Sequence, residues 1–184
     1  QVIRKLLLME FFPNNPEIWN NTESFIVYNF GRMTDQKGIE LLYSKVDQIT
    51  ANGDIVIIVG TEPGGMYEQM ADLMNKKADK MQKEGKYFAF TSRFTPYYYV
   101  YGADIKVTPS FFEPCGMTPA EANRGGVPVI VSDVGGLQRF QDAFMFKMIH
   151  SDPWTSANNL YEAYLEARSE WYNNKASYED RMQR

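Results

Sequence analysis

The run Asp54-Ile55-Val56-Ile57-Ile58-Val59, closed by Gly60, constrains this chain more than any other segment. Five β-branched residues in succession leave no polar side, so a strand built from them has to be covered on both faces. That requirement selects a parallel sheet with helices packed over it. The rest of the chain supplies matching pieces. Phe25-Ile26-Val27-Tyr28, Tyr87 to Thr91, Asp104 to Thr108 and Val127 to Val131 read as further strands. Between them, Ile39, Leu42, Val46 and Ile49 share one helical face, and Met66, Met70, Leu73 and Met81 share another after the Gly/Pro loop from Thr61 to Gly65. A short helix is expected near Tyr97 to Tyr101. A longer one is expected from Ser156 to Trp171, with Leu160, Tyr164, Ala167 and Trp171 on its stripe. Strands alternating with helices predict an α/β fold, a Rossmann-like parallel sheet flanked by helices. At 184 residues the chain has the size of one domain. The polar stretch Pro13 to Ser24 is the candidate linker, which divides the chain into an N-terminal segment or linker remnant at 1–23 and a Rossmann-like domain at 24–184.

Two loops carry the candidate chemistry. Pro109-Ser110-Phe111-Phe112-Glu113-Pro114-Cys115-Gly116-Met117-Thr118-Pro119-Ala120-Glu121 joins an expected strand end to a helix start. The backbone N–H groups of Gly116, Met117 and Thr118 would point outward at that helix N-terminus, an arrangement that holds phosphate oxygens. Glu113 stands just before the turn. Thr118-Pro119-Ala120-Glu121 also fits a capping box with proline in the first turn, which is a structural account of both Thr118 and Glu121. The second loop is Phe30-Gly31-Arg32-Met33-Thr34-Asp35-Gln36-Lys37-Gly38. There Arg32 and Lys37 flank a helix start that Thr34 is placed to cap, and two cations at the positive end of a helix dipole are unfavourable unless an anion sits between them.

Composition removes several function classes. A net charge of −4 without a Lys/Arg-rich block argues against a nucleic-acid surface. A single Cys and a single His exclude a disulfide framework and a Cys/His zinc site. The apolar run from Leu6 to Met9 is too short to span a membrane and lacks the layout of a secretory signal, so a cytoplasmic location is the default expectation.

Glu-Pro-Cys-Gly-Met-Thr-Pro-Ala-Glu at 113–121, followed by Gly126-Val127-Pro128-Val129-Ile130-Val131 and Val134-Gly135-Gly136-Leu137, resembles the C-terminal domain of GT-B retaining glycosyltransferases, most closely glycogen and starch synthases. The Phe30 to Gly38 segment is a second element of that pattern in the right order, and the similarity runs from about Ser24 to about Phe146. The resemblance implies one half of a GT-B fold that binds a nucleotide sugar, with ADP-glucose as the expected donor, UDP-glucose as the next, and an α-1,4-glucan as acceptor. It implies that Arg32 and Lys37 grip the donor diphosphate and stabilise the leaving nucleoside diphosphate. Glu113 would lie over the sugar in an electrostatic and positioning role, not as a nucleophile. Gly31, Cys115, Gly116, Met117, Thr118, Glu121, Gly135 and Gly136 would complete the donor site, without a metal or other cofactor. In this family the acceptor site belongs to an N-terminal domain facing this one. The chain is therefore expected to bind nucleotide weakly and to transfer little sugar by itself.

Each assignment has a plainer counterpart. The plainer readings make Arg32 and Lys37 solvated cations and Glu113 a surface carboxylate, each weaker than the donor-site reading, while Gly135-Gly136 reads equally as a simple turn. Cys115 reads as part of the turn more readily than as a nucleophile, since no His lies near it in sequence. Tyr97-Tyr98-Tyr99, with Phe88, Phe90 and Phe94, reads mostly as core, with Ser92 to Thr95 as a base-proximal loop. The Glu113-x7-Glu121 spacing departs from bacterial glycogen synthases toward transferases that use other donors, in which the second Glu holds ribose hydroxyls. Two further readings therefore stand: a transferase using another UDP- or GDP-linked donor, and a non-catalytic nucleotide-binding module.

Overall fold

In the computed structural model, which describes residues 1–181, the buried apolar runs become six strands. They are β1 (Ile26–Arg32), β2 (Ile55–Thr61), β3 (Phe88–Thr91), β4 (Ile105–Thr108), β5 (Val129–Ser132) and β6 (Phe144–Phe146), ordered β3-β2-β1-β4-β5-β6 in one sheet. The pairs β1/β2, β2/β3, β4/β5 and β5/β6 are parallel. Ile55 to Val59 are all fully buried, as a strand covered on both faces requires. Among the described residues seven α-helices accompany the strands: α1 (Val2–Phe11), α2 (Ile39–Tyr43), α3 (Val46–Ala51), α4 (Met66–Lys83), α5 (Met117–Arg124), α6 (Pro153–Asn173) and α7 (Lys175–Arg181). No helix among the described residues is long and apolar enough to cross a membrane.

The chain divides into two units, Gln1–Thr34 with Val46–Asp104, and Asp35–Lys45 with Ile105 onward. In the first, α1 buries Leu7, Leu8 and Phe11 and packs on the 3-10 turn Tyr97–Gly102. Gly102 is required there, because a Cβ would stand 2.8 Å from the Ile3 carbonyl oxygen. Arg4 ties the helix down: its guanidinium donates to the carbonyls of Asn21 and Ser24 and pairs with Asp104 at 2.6 Å. Asp104 also accepts from the Ile26 N–H, so one carboxylate joins α1 to the start of β1. In the second unit, α6 is capped by Asp152, which accepts from the Thr155 N–H, with Pro153 in the first turn. Its Leu160, Tyr164 and Ala167 are buried as the spacing predicts.

Two local expectations are corrected, and one strand is unexpected. The helix read through Ile39, Leu42, Val46 and Ile49 buries all four residues but is broken between Tyr43 and Val46. At the break the Ser44 hydroxyl donates to the Leu41 carbonyl, and Lys45 turns inward, donating to Asn158 at 2.5 Å and lying 4.8 Å from the Trp154 ring. The buried face of α4 is Tyr67, Ala71, Met74, Ala78 and Met81, while Met66 and Leu73 are exposed. The two alanines let the helix sit close to β3, and Met66 and Leu73 are left outside. Strand β6 carries no readable signal, because three residues with an exposed Met145 at the centre make no periodic pattern.

Asp104→Ala is expected to lower the unfolding free energy by about 2–4 kcal/mol in urea titration, because it strands a largely buried guanidinium and an amide N–H. A loss under about 0.5 kcal/mol would show that the pair holds nothing together.

Candidate functional site

The second unit builds its polar centre on the loop that leaves the C-terminal end of β4, the position where open parallel sheets place ligands. The 3-10 turn Asp35–Lys37 is stitched to this loop. The Phe111 N–H donates to the Gln36 carbonyl and the Gln36 side-chain amide donates to the Phe112 carbonyl, both at 2.9 Å. Gly38 then has φ +60°, and a Cβ there would stand 2.1 Å from the Pro109 carbonyl oxygen, so only glycine allows the approach. The consequence is a fixed register between Lys37 and Glu113, whose Nζ and Oε2 meet at 2.6 Å.

Glu113 is the most enclosed charge of the pair, its side chain 10% exposed against 24% for Lys37. Burial pushes its carboxyl upward. The Lys37 hydrogen bond and charge, with the N–H groups of Gly116 and Cys115, outweigh that and hold it below the usual carboxylate range. The Gly116 N–H donates to Oε1 at 3.3 Å, so the turn presents one of its amides to Glu113 itself. Gly116 is the left-handed N-cap of α5, whose first residues Met117 and Thr118 follow with Met117 exposed.

The capping box does not form. With the cap at Gly116, Thr118 is the second helical residue, no side chain caps α5, and Glu121 lies exposed on its outer face. Left-handed Gly116 starts the helix two residues earlier than the Thr118 pattern predicts. Thr34 likewise caps nothing: α2 starts after Gly38, and the buried Thr34 hydroxyl makes no hydrogen bond among the described residues.

Gly135 and Gly136, after β5, approach the Glu113 loop from its other side. A Cβ on Gly135 would lie 2.5 Å from the Glu113 carbonyl oxygen and one on Gly136 2.4 Å from that of Pro114, while the Gly136 N–H donates to the Glu113 carbonyl at 2.7 Å. Their closest neighbour is thus the backbone that carries Glu113. Cys115 is an exposed free thiol. The structure brings Lys37, Glu113, Cys115, Gly116, Gly135 and Gly136 into one cluster. Gly31 and Arg32 belong to the first unit, at the C-terminal end of β1, with Arg32 exposed. In that unit Phe30 packs edge-on against Phe94 and Tyr97, Tyr99 is buried, and Phe94 and Tyr98 remain exposed.

One residue escaped the sequence reading. Lys106, in the middle of β4, is 0% exposed, and its ammonium donates to Thr108 at 2.9 Å and to Thr118 at 3.4 Å. Burial, with the nearby Lys37 charge, lowers its pKa to about 7 against the pull of Glu113 and Glu121. The available signal was a lysine inside the run Ile105-Lys106-Val107-Thr108, where a fully covered strand has no water to offer a charge.

Gly38→Ala is expected to cost at least about 3 kcal/mol in urea titration, since the added methyl must displace backbone. Because the Glu113 pKa is depressed, its contribution to stability is present above the ordinary value of 4.5 and is lost as pH falls below it. Urea midpoints of Glu113→Gln should therefore fall less steeply than the parent's on acidification below about pH 4.5; parallel curves would contradict the ion pair.

Against known proteins, the family model described as glycosyl transferases group 1 matches residues 12–175. The glycogen synthase of Lactococcus lactis subsp. lactis (strain IL1403) is 32% identical over 107 residues, covering 58% of this chain and 22% of the relative. Granule-bound starch synthase 1 of Ipomoea batatas, chloroplastic/amyloplastic, is 31% identical over 107 residues, covering 58% and 17%. The chain thus spans about a fifth of the length of these relatives. Among solved structures, the catalytic domain of starch synthase IV from Arabidopsis thaliana bound to ADP and acarbose superposes with a TM-score of 0.73 at 18% identity, covering 88% of this chain and 34% of that one. The last likeness establishes the GT-B type of Rossmann-like half and nothing finer.

Proposed function

The chain belongs to the glycosyl transferase group 1 family, and we propose that it is the donor-binding half of a retaining enzyme that transfers glucose from ADP-glucose, or from UDP-glucose, to an α-1,4-glucan. The observation that carries this reading is the Lys37–Glu113 pair held at 2.6 Å beside the N-terminus of α5. Glycogen and starch synthase relatives at just over 30% identity support the choice of sugar and acceptor class.

Chemically, the pair divides two tasks. Lys37 supplies a cation for the diphosphate, with the first-turn amides of α5 as further donors, and its stabilisation grows as the glycosidic bond breaks and charge collects on the leaving group. Arg32 is assigned the same task from the sequence pattern. Glu113, kept ionised, faces the positive charge that develops on the sugar and accepts from its hydroxyls; it forms no covalent bond. In this reading the cations meet the diphosphate charge and no metal or other cofactor is called for. Residues 24–184 are the nucleotide-sugar-binding domain and 1–23 a preceding segment or linker. The acceptor is held by a facing N-terminal domain, whose closure excludes water and completes the site. By itself the chain is then catalytically incomplete.

One observation favours a second donor class. Glu121, freed from any capping role, stands exposed on the first turns of α5, where a carboxylate can accept from ribose hydroxyls. With Glu113 it makes the Glu-x7-Glu spacing of transferases that use other donors, and so supports a UDP- or GDP-linked one.

Calorimetric titration of the chain with ADP, UDP and GDP tests these readings. Binding of one nucleoside diphosphate that weakens about tenfold in Arg32→Ala and in Lys37→Met supports the diphosphate site. Preference for ADP supports the glycogen and starch synthase reading, and preference for UDP or GDP the second. Adding a separately produced N-terminal half from a glycogen synthase should restore glucan elongation with the parent chain and leave Glu113→Gln at least about a hundredfold slower. Nucleotide binding without any rescued transfer would favour a non-catalytic binding module.

A further inference from the structure

Lys106 is a charge-bearing side chain for which the fold has no use. It occupies a fully covered position of β4, where an apolar side chain of similar volume would avoid the cost of removing an ammonium from water. Among the described residues its hydrogen-bond partners are two hydroxyls, Thr108 on its own strand at 2.9 Å and Thr118 in the first turn of α5 at 3.4 Å. Neither is an anion. The charged groups that face it come from three other segments: Lys37 from the 3-10 turn, Glu113 from the loop after β4, and Glu121 from α5. With Lys106 neutral, this set holds one cation and two carboxylates. With Lys106 protonated it is balanced.

We propose, resting on the donor-site reading above, that Lys106 is a positioning residue for the donor diphosphate: it takes a proton from solvent as the diphosphate binds and holds Thr118 and the first turn of α5 against the bound phosphates. A polyanion beside α5 adds to the negative charge already facing Lys106, so its binding and the protonation of Lys106 favour each other, and by linkage the affinity falls as protons become scarce. The hydrogen bond to Thr118 makes this coupling local, since the hydroxyl that accepts from Nζ belongs to the first turn of α5. The free-state pKa of about 7, lowered by burial first and by Lys37 second, places the effect in the neutral range.

The sign for stability runs opposite to that of an ordinary paired lysine. The folded-state pKa lies below the ordinary 10.5, so folding releases a proton between the two values. The penalty is full below about pH 7 and is relieved as pH rises toward 10.5. Lys106→Met should therefore be more stable than the parent at pH 7 in urea titration, with the difference shrinking as pH rises toward 10. A variant less stable than the parent at pH 7 would mean that the lysine is structural, and would overturn the proposal.

Binding is read by calorimetry with ADP and UDP at about pH 7.5, in two buffers of different ionisation heat. The parent should take up a fraction of a proton per nucleotide bound and lose affinity between about pH 6.5 and pH 8.5. Lys106→Met should take up none from this group and bind about tenfold more weakly at pH 6.5. Lys106→Arg, whose side chain stays charged throughout, should bind without that pH dependence. Nucleotide binding by the parent with the same proton uptake as Lys106→Met overturns this inference and leaves the donor site standing. No binding of either nucleotide by the parent overturns the donor site, and this inference with it.

Discussion

The contact between Gly38 and the Pro109 carbonyl sets the geometry of the polar centre in the second unit. An approach that would place a Cβ 2.1 Å from a carbonyl oxygen is open to glycine alone, and the two hydrogen bonds that stitch Gln36 to Phe111 and Phe112 depend on it. Lys37 lies directly beside that contact. Its ammonium reaches Glu113 not through a long flexible excursion but because the turn beneath it is locked to the loop that carries the carboxylate. On the other side, Gly135 and Gly136 press on the carbonyls of Glu113 and Pro114. A carboxylate whose backbone is clamped from two directions loses little entropy when a ligand arrives, which is the condition for electrostatic stabilisation in a site that performs chemistry.

Much of the architecture was legible in the sequence because it depends on burial. Ile55 to Val59 had to be covered on both faces, and the alternation of strands with longer helical patterns left a parallel sheet as the consistent solution. The misses came where a local signal competed with packing. The stripe Met66, Met70, Leu73 is as apolar as the one that is buried, but Ala71 and Ala78 permit the closer approach, and periodicity alone does not weigh size. Lys45 interrupts a helix by reaching Asn158, a partner more than a hundred residues away in sequence that no local pattern reveals. β6 is too short to have a period at all.

At the site, residue types were readable and their partners were not. Glu113 stood out by its place before a glycine turn, yet that its amide partners would be Gly116 and Cys115 follows only from the left-handed cap. Thr118 and Glu121 matched a capping box in sequence. Moving the helix start to Gly116 releases both, one toward Lys106 and the other to the surface. The same shift of two residues thus replaces the capping explanation with a contact to Lys106 for Thr118 and an exposed position for Glu121.

Stability and binding pull in opposite directions across this cluster. Glu113 and Lys37 offset each other's burial at short range, so their net cost is modest. Lys106 has no such partner at hydrogen-bond distance and loses solvation without recovering it from an anion. A fold selected only for its own stability would place an apolar side chain at this position, as it does at the neighbouring sites of β4, where Ile105 and Val107 are fully buried. Its cost of burial is largest in the free protein and falls when negative charge arrives beside α5, so the strain that the lysine introduces is itself a preference for an anionic ligand.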